Sequence, residues 1–337
     1  MAKKKALFLM EERRFNSVYG PRERAEIETL VDIIAEPQTK ETIRENLSLL
    51  NEVEILFSGW GMTPIDEEFL SHAPKLEAVF YAAGTIRYFM TEAAWERNLT
   101  VTSSFAANAI PVTEYCLATI LLALKQAPFF TRRLENGGPE QFNKKDHAYA
   151  VAGAYGSTVA LVSLGTIGRL VLEKLKDFDF DIIVDDYDLT PEQAAAQGVE
   201  ALPLKELFKR ADVISLHTAL LPATKGMITG ELIASMKENA VLINTSRGGL
   251  IKEEEMVEVL RKRPDLTAIL DVTEKEPPEE GSLLYSLPNV FLTPHIAGSM
   301  GNECRRMGQY AIDECRRYLT GEPLVYHIDK KALEGMA

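Results

Sequence analysis

Short apolar segments alternate with helix-like segments along most of this 337-residue chain, and this alternation restricts its fold more than any other feature. Apolar strands separated by helices form parallel sheets that helices cover on both faces. The sequence therefore predicts an α/β fold. Strands of a first series are expected at residues 5–10, 32–35, 54–57, 78–81 and 99–102, with helices between them at 22–30, 40–50 and 66–71.

A second series with the same alternation begins at Ser157. A long helix precedes it, from Asn108 as N-cap to about residue 127, with Pro111 tolerated in the first turn. At about 150 residues per domain, the chain length suits two domains. The second series predicts strands at 158–162, 181–185, 199–201, 212–216, 240–244, 267–271 and 290–292, and helices at 167–177, 203–210, 229–237, 253–263 and 301–319.

The composition excludes several classes of function. Hydrophobic residues make up 46% of the chain and charged residues 26%, which excludes wholesale disorder. The net charge of −13 argues against nucleic-acid binding, because phosphates need a basic surface. The longest strongly apolar run, 115–124, is shorter than the roughly 20 residues that cross a bilayer. We therefore expect neither a nucleic acid nor a membrane as partner.

The cysteines and the N-terminus favour a cytoplasmic protein. The apolar run at 6–10 is followed at once by Glu11 and by no small-residue cleavage site, so no signal peptide is expected. An odd number of cysteines without a C-x-x-C pair is typical of free thiols in a reducing compartment: Cys116, Cys304 and Cys315. No metal site is predicted, because no ligand-like neighbours accompany His72, His147 and His327.

A glycine turn between a strand and a helix marks a candidate phosphate-binding loop. Residues 163–168 follow the predicted strand 158–162 and match the G-x-G-x-x-G pattern, with Ser163 in place of the first glycine. Gly165 lets the backbone approach a pyrophosphate, and Gly168 lets the helix pack on the strand. The helix N-terminus then presents free N–H groups and a partial positive charge to the phosphates.

An acidic residue at the end of the next strand specifies the dinucleotide. Asp186 lies 21 residues after Gly165. An acid at this place binds the adenosine ribose hydroxyls and repels a 2′-phosphate, so the sequence predicts NAD rather than NADP. The alternative is that Asp185 and Asp186 merely terminate the strand.

Three side chains that suit acid–base chemistry follow three later strands: Arg247, Glu276 and His295. Because the carboxyl ends of parallel strands converge on one crevice, these three side chains could meet there. Arginine can clamp a carboxylate, histidine can exchange a proton near neutral pH, and a carboxylate on the other ring nitrogen orients the imidazole. Beside a nicotinamide, such a trio would interconvert a 2-hydroxy acid and a 2-keto acid. Taken singly, Arg247 could be a solvated turn, Glu276 a surface acid and His295 a satisfied loop residue.

Five sequence blocks carry a more specific resemblance. In chain order they are VALVSLGTIGR, VISLHTALLPATKGMI, LINTSRGGLI, ILDVTEKEP and LTPHIAGS. Together they resemble the D-isomer-specific 2-hydroxyacid dehydrogenase family, from about residue 157 to residue 322. Residues 108–124 resemble the family's long inter-domain helix, and the first hundred residues resemble the family in architecture more than in motif.

The resemblance implies two parallel-sheet domains. A flavodoxin-like substrate domain would comprise residues 1–106 plus 297–337, and a Rossmann NAD-binding domain, residues 107–296, would be inserted into it. A homodimer formed through the NAD-binding domain and its long helix is also implied.

The resemblance assigns roles to the candidate residues. Arg247 would bind the substrate carboxylate and carbonyl, and His295 would be the acid–base on the hydroxyl oxygen, with Glu276 as its partner. Asp271 would contact the nicotinamide end of the cofactor and Asp186 its adenosine ribose. The complete set of cofactor-binding candidates is Gly165, Thr166, Ile167, Gly168, Asp186, His217, Thr245 and Asp271, of which His217 could equally have a packing role.

Two departures from the family pattern lie in the NAD-binding half. Ser163 replaces a glycine, from which we expect altered cofactor affinity rather than loss of binding. Ala219 stands where a proline is common, two positions after His217.

The largest departure lies in the substrate loop, residues 81–87. Backbone N–H groups near Gly84 and Thr85 are expected to hold a substrate carboxylate. Arg87 stands where an acid is usual, so it either favours a dianionic or larger substrate or pairs with a surface acid, Glu92 or Glu96.

These observations predict an NAD-dependent oxidoreductase that transfers a hydride between NAD(H) and C2 of a 2-hydroxy or 2-keto acid. The alternative is a non-catalytic, NAD-sensing regulatory protein of the same fold. Phosphoglycerate enzymes of the family often carry an added regulatory domain, for which 337 residues are expected to leave no room.

Overall fold

A computed structural model describes residues 2–138, 140 and 151–335. The chain divides into two compact units, one formed by Met1–Ala109 with Ser299–Ala337 and the other by Ile110–Gly298. His147, expected not to bind a metal, lies outside the described residues.

Each unit is built on one parallel sheet, and the strands are numbered along the chain. The first unit holds β1 (Lys5–Leu9), β2 (Asp32–Ile33), β3 (Ile55–Ser58), β4 (Ala78–Tyr81) and β5 (Thr100–Ser103). The second unit holds β6 (Thr158–Val162), β7 (Asp181–Asp185), β8 (Glu200–Ala201), β9 (Val213–Leu216), β10 (Val241–Asn244), β11 (Thr267–Leu270) and β12 (Val290–Leu292).

The helices cover both faces of each sheet. In the first unit they are α1 (Glu12–Val18), α2 (Pro21–Leu30), α3 (Lys40–Glu45), α4 (Glu67–His72) and α5 (Glu92–Glu96). Helix α6 (Phe105–Leu124) begins in the first unit and continues into the second. The second unit also holds α7 (Ala127–Gly137), α8 (Thr166–Leu175), α9 (Pro191–Ala196), α10 (Leu204–Arg210), α11 (Gly230–Ala234) and α12 (Glu253–Lys262). The chain then returns to the first unit with α13 (Glu303–Thr320) and α14 (Lys330–Glu334).

The order of the strands confirms the predicted fold class. The first sheet has the order β2-β1-β3-β4-β5, which is that of flavodoxin-like folds. The second sheet has the order β12-β11-β10-β9-β6-β7-β8, which is the Rossmann order with one further strand. All strand pairs of both sheets are parallel.

Burial on both faces explains why most of the strands are nearly continuous apolar runs. Every residue of β3, β4, β9, β10 and β11 is buried. Parallel strands hidden in this way lose the alternation that marks a sheet with one solvated face.

Helix α6 is longer than the apolar run that the sequence analysis considered. It has 20 residues, so by length and composition alone it could cross a membrane, and the prediction that no segment is long enough was wrong. The run was counted only from residue 115, although the preceding alanines and threonine continue the same helix. In this protein 56% of its most apolar window is buried, as in a core helix.

A buried carboxylate holds the segment that follows α13. The side chain of Glu314 is only 1% exposed. It accepts hydrogen bonds from the backbone N–H groups of Val325 and Tyr326, both at 3.0 Å, and from Arg317 Nη1 at 2.5 Å. The carbonyl of Tyr326 in turn accepts a hydrogen bond from the backbone N–H of Ser103, at 3.1 Å. Glu314 thus fastens the C-terminal segment to the edge of the first sheet.

Replacing Glu314 by Gln should destabilise the first unit by about 2–4 kcal/mol, because an amide cannot accept from all three donors and leaves buried polar groups unpaired. Urea unfolding followed by fluorescence measures this change. Asp313→Asn is the matched control: Asp313 is the neighbouring, more exposed carboxylate, paired with Arg316, and its loss should cost less than about 1 kcal/mol. Equal effects of the two substitutions would contradict the role given to Glu314.

Candidate active site

The candidate phosphate loop begins with a strained residue. Ser163 follows β6 with φ of +75°, the left-handed region that glycine tolerates best. Its backbone N–H donates to the carbonyl of Asp185 at 2.7 Å, which holds the turn in place. A serine in this conformation costs on the order of 1 kcal/mol, which is the physical reason for a glycine at this place in the G-x-G-x-x-G pattern.

The two remaining glycines shape the start of α8. A Cβ at Gly168 would lie 2.2 Å from the carbonyl oxygen of Ser163, so only glycine allows this approach of helix and strand. Gly165 is the N-cap residue, and a Cβ there would meet nothing within 4 Å. No side chain caps the first turn of α8, so its N–H groups, which include those of Thr166 and Ile167, are open to an anion.

Asp186 is tied to the same loop. One of its carboxylate oxygens accepts a hydrogen bond from the backbone N–H of Leu164 at 2.5 Å, and the other accepts from Asp188 N–H at 3.1 Å. The neighbouring Asp185 is half-buried, and burial together with the charge of Asp186 raises its pKa. Asp186 is therefore the acid that faces the glycine turn, and its assignment to the adenosine ribose stays a prediction.

His217 lies at the point where the strand order of the second sheet reverses, between β6 and β9, and ligands of doubly wound sheets bind at such points. Its backbone N–H donates to the carbonyl of Val162 at 2.9 Å, directly before the glycine turn. Both of its ring nitrogens are buried without a hydrogen-bond partner. Burial lowers the pKa of His217 to about 4, so the ring is neutral at neutral pH.

The loop that carries Arg247 follows β10. The side-chain amide of Asn244 donates to the carbonyl of Arg247 at 2.9 Å, and Asn244 Oδ1 accepts from Ser246 N–H at 3.0 Å. A Cβ at Gly248 would lie 1.9 Å from the carbonyl carbon of Thr273, so glycine is needed where this loop touches the one that follows β11. The sequence Asn-Thr-Ser-Arg-Gly-Gly thus folds into a loop fixed from both sides.

The guanidinium of Arg247 has donors left for a ligand. Its one hydrogen bond within the described residues is from Nη1 to the carbonyl of Ser246, at 2.7 Å. Burial lowers the pKa of Arg247, and the negative charge of Glu276 opposes this shift. The charges of Arg247 and Glu276 are therefore close enough to interact.

His295 and Glu276 are in direct contact. The His295 Nδ1 atom lies 2.7 Å from Glu276 Oε2, and the two side chains are 51% and 40% exposed. His295 has φ of +54°, again in the left-handed region. The structure thus joins the histidine to the predicted carboxylate, with Arg247 on the adjacent loop of the same unit.

Asp271 organises the loop that carries His295. Its buried carboxylate accepts hydrogen bonds from Thr293 Oγ1 at 2.6 Å, from Ile296 N–H at 2.9 Å and from Ala297 N–H at 2.8 Å. The sequence analysis missed this loop-holding contact and assigned Asp271 only to the nicotinamide end, an assignment that stays a prediction. A buried acid at the end of one strand, 22 residues before a Thr-Pro-His turn that follows the next strand, forms no local sequence pattern from which this contact could be predicted.

Two residues of α6 that sequence reasoning placed in no site also contact these loops. Tyr115 OH lies 2.9 Å from Thr293 Oγ1, and the Cys116 sulfur lies 3.1 Å from Thr245 Oγ1. The hydroxyl of Thr245, a predicted cofactor-binding residue, therefore already contacts another group of the protein.

The predicted substrate loop lies in the first unit. Ser103 Oγ donates to the carbonyl of Gly84 at 2.5 Å, and Thr85 Oγ1 accepts from the backbone N–H of Arg87 at 3.4 Å. The Arg87 side chain donates to the carbonyls of Leu333 and Glu334 at the end of α14. Positive charge at the carboxyl end of a helix is favourable.

One of the two surface acids expected as possible partners of Arg87 is paired with another residue. Glu92 forms an ion pair with Lys330, at 2.6 Å. The guanidinium of Arg87 donates hydrogen bonds to backbone carbonyls of the C-terminal segment. This arrangement gives Arg87 a structural role.

Among the described residues, no group of three or more His, Cys, Asp or Glu side chains is placed so that it could hold a metal ion. The residues around the glycine turn suit a dinucleotide better, because they combine an uncapped helix N-terminus, an acid and a buried imidazole that lacks partners.

The sequence profile of the D-isomer specific 2-hydroxyacid dehydrogenase NAD binding domain matches residues 117–297. A D-3-phosphoglycerate dehydrogenase of Methanocaldococcus jannaschii is 33% identical over 282 residues, which are 83% of this chain and 52% of that protein. The chain thus spans about half the length of the phosphoglycerate dehydrogenases that it matches.

A shorter relative and a solved structure match over most of their length. The (S)-sulfolactate dehydrogenase of Chromohalobacter salexigens is 32% identical over 278 residues, which are 80% of this chain and 88% of that protein. The crystal structure of apo D-mandelate dehydrogenase from Rhodotorula graminis superposes with a TM-score of 0.83 at 23% identity, over 97% of this chain and 98% of that chain. The latter similarity is one of fold.

The buried imidazole of His217 should make the protein less stable in acid. Its pKa is about 4 in the folded protein and near 6.5 when unfolded, so the unfolded chain binds the extra proton between these values. The free energy of unfolding should therefore fall as the pH drops from 6.5 to 4, by about 3 kcal/mol from this group. His217→Phe should remove this part of the slope, as measured by urea unfolding at a series of pH values. Parallel stability curves for the two proteins would refute the assignment.

Proposed function

Since the chain belongs to the D-isomer specific 2-hydroxyacid dehydrogenase family and carries its NAD-binding domain, we propose that it interconverts a 2-hydroxy acid and a 2-keto acid with NAD(H). The resemblance drawn from the sequence motifs is thereby confirmed. The observation that carries the proposed activity is the 2.7 Å contact of His295 with Glu276 on the loops beside Arg247. NAD(H), when bound, accepts or supplies the hydride.

The residues of the glycine turn fit this cofactor. The open N-terminus of α8, with the backbone of Thr166 and Ile167, would hold the pyrophosphate. Asp186 would bind the adenosine ribose and disfavour a 2′-phosphate. The buried ring nitrogens of His217, which have no partner among the described residues, offer one donor and one acceptor at the same crevice.

His295 would move the proton. Because Nδ1 contacts the Glu276 carboxylate, the proton on Nδ1 is held there, and Nε2 is the nitrogen left to exchange a proton with the substrate oxygen. In reduction of a keto acid, imidazolium Nε2–H donates to the carbonyl oxygen that becomes the hydroxyl. The Glu276 carboxylate stabilises that imidazolium.

Arg247 would hold the substrate. Its guanidinium presents paired N–H donors that match a carboxylate and polarise the adjacent carbonyl. Partial burial strengthens this attraction, because less water competes for the donors. Gly84 and Thr85 remain predicted carboxylate ligands in the first unit, and the division of labour between a substrate unit and an NAD unit is part of the same proposal.

The regulatory alternative is less well supported. A protein that only senses NAD needs no acid–base pair beyond the dinucleotide site, whereas His295 and Glu276 are in contact on the two loops that come after the loop of Arg247. The named substrates of the curated relatives, 3-phosphoglycerate and sulfolactate, both carry a second acidic group. The keto forms of these two acids are therefore test substrates for this protein.

The purified protein should oxidise NADH with one or more 2-keto acids, and His295→Ala should lower kcat by about 100-fold or more, because general acid–base catalysis contributes that much. Initial rates with glyoxylate, hydroxypyruvate, pyruvate, phenylpyruvate, phosphohydroxypyruvate and sulfopyruvate test this expectation. His72→Ala, a histidine of α4 outside the site, is the matched control and should keep full activity.

Two outcomes would count against the proposal. A preference for NADPH over NADH would overturn the role of Asp186. NADH binding without turnover of any acid in the panel would favour the regulatory alternative.

We also propose that the protein is a homodimer formed through α6 and α7. Leu122 of α6 is 52% exposed, and no residue of the amphipathic α7, which carries Phe129, Phe130 and Leu134, is buried. Arg132 lies over the ring of Phe291 at 4.1 Å and fixes α7 to its unit. An apolar surface of this kind is typical of an interface.

Light scattering after size exclusion should give the mass of two chains for the wild type, and Leu122→Glu should shift the equilibrium toward one chain because a charge is costly in an apolar contact. Leu170→Glu is the control, since Leu170 of α8 is 38% exposed and lies on another helix. A monomeric wild type would refute this proposal.

A cytoplasmic location without membrane or nucleic-acid partners completes the proposal. It is supported by three cysteines that are all free and buried and by the net negative charge of the chain.

A further inference from the structure

Two consecutive residues of α6 contact two of the three loops that carry the candidate active-site residues. Tyr115 reaches Thr293, two residues before His295, and Cys116 reaches Thr245, two residues before Arg247. A residue that contacts neither cofactor nor substrate can still affect catalysis through such a loop, because a displacement of about 1 Å at the reacting group lowers the rate markedly.

The direction of the hydrogen bonds between α6 and Asp271 follows from the chemistry of the groups. Asp271, as a carboxylate, can only accept, so Thr293 Oγ1 donates its single proton to Asp271 across 2.6 Å. The Thr293 oxygen must then accept the bond from Tyr115, whose hydroxyl lies at 2.9 Å. Burial raises the pKa of Tyr115. The hydroxyl therefore stays protonated and can act as the hydrogen-bond donor. The result is a directed chain from Tyr115 through Thr293 to Asp271.

This series of hydrogen bonds ends at the loop after β12, which carries His295. The backbone N–H of His295 donates to the carbonyls of Asp271 at 3.0 Å and of Thr293 at 2.9 Å. The Asp271 carboxylate binds the N–H groups of Ile296 and Ala297, immediately after the bend. A non-glycine residue at φ of +54° persists only where its surroundings over-determine it. The donors on either side of His295, Thr293 before it and Ile296 with Ala297 after it, are all bound to one buried carboxylate.

We propose that Tyr115 and Thr293 are positioning residues for the acid–base chemistry: with Asp271 they hold His295 in the left-handed conformation in which its Nδ1 meets Glu276. The inference rests on the proposed function of His295. Tyr115 and Thr293 would act on His295 only through the loop after β12, and Tyr115 lies on α6, far from that loop in sequence.

The Thr293 hydroxyl can be removed without changing the shape of the side chain. Thr293→Val should lower kcat by about 10- to 100-fold and leave the Kd for NADH, measured by fluorescence, within about twofold. Thr293→Ser keeps the hydroxyl and should stay within about threefold of the wild-type kcat. Tyr115→Phe should lower kcat by about three- to tenfold, and adding it to Thr293→Val should cause little further loss, because the two residues form one chain.

Thr320→Val is the matched control. Thr320 ends α13 in the first unit, and its hydroxyl donates to the backbone carbonyl of Arg316 at 3.0 Å. This substitution removes a threonine hydroxyl from a helix without touching Tyr115 or the loop after β12, and kcat should be unchanged. If Thr293→Val keeps the same kcat as Thr320→Val while the wild type is active, the positioning role is refuted and the proposed function stands.

Crystal structures of the wild type, Thr293→Val and Thr293→Ser decide the inference independently of activity. Loss of the left-handed φ at His295, or of its contact with Glu276, in Thr293→Val but not in Thr293→Ser would support the positioning role. Retention of both features in Thr293→Val would overturn it. These structures also keep the two proposals separable, because an inactive wild type would refute the proposed function alone.

Discussion

The candidate site depends on the parallel pairing of β6 with β9 at the centre of the second sheet. The pairing runs from Val159 opposite Val213 to Val162 opposite Leu216. The strand order reverses there, so the connections leave β6 and β9 toward opposite faces and open a crevice at the carboxyl ends. The glycine turn follows one strand and His217 follows the other. Each later strand, β10 to β12, then brings one more loop to the same edge.

Within this frame the charge of Asp271 orders the loop after β12. A buried carboxylate without hydrogen bonds would be very costly, and here three donors compensate for the lost water. The same three bonds fix the loop conformation, so the requirement to satisfy one anion also determines where His295 lies. The strain at Ser163 and His295 is concentrated in the loops around the crevice, whereas the strands behind them are regular and buried.

Apolar strands and glycine patterns were readable from the sequence because each follows from local chemistry. The predicted strands at 78–81, 158–162, 181–185 and 290–292 coincide with those of the structure. Helix α1 was not predicted, because its sequence ERRFNSV is short and mostly polar and buries only two side chains. The region 40–50, read as one helix, is a helix to Glu45 followed by a 3-10 segment, with Asn46 as the break.

Contacts between distant parts of the chain account for most of what the sequence did not show. The candidate residues after β10 to β12 could be proposed because strand ends converge, a rule that needs only the strand order. The bond between Tyr115 and Thr293 joins residues 178 positions apart, and neither residue type is unusual for its place. The same holds for Arg87, whose partners lie at the end of the chain.

The division of the chain also bears on how the protein is made. Residues 110–298 form one compact unit from a continuous stretch, whereas the first unit needs residues from 299 onward. Cys304, Met307 and Ala311 of α13 pack into the same core as Phe8 and Phe57 of the first sheet. During synthesis the inserted unit can therefore fold on the ribosome as soon as it emerges. The N-terminal strands, although made first, must wait for α13, and until then one face of their sheet is covered only by α1 and α2.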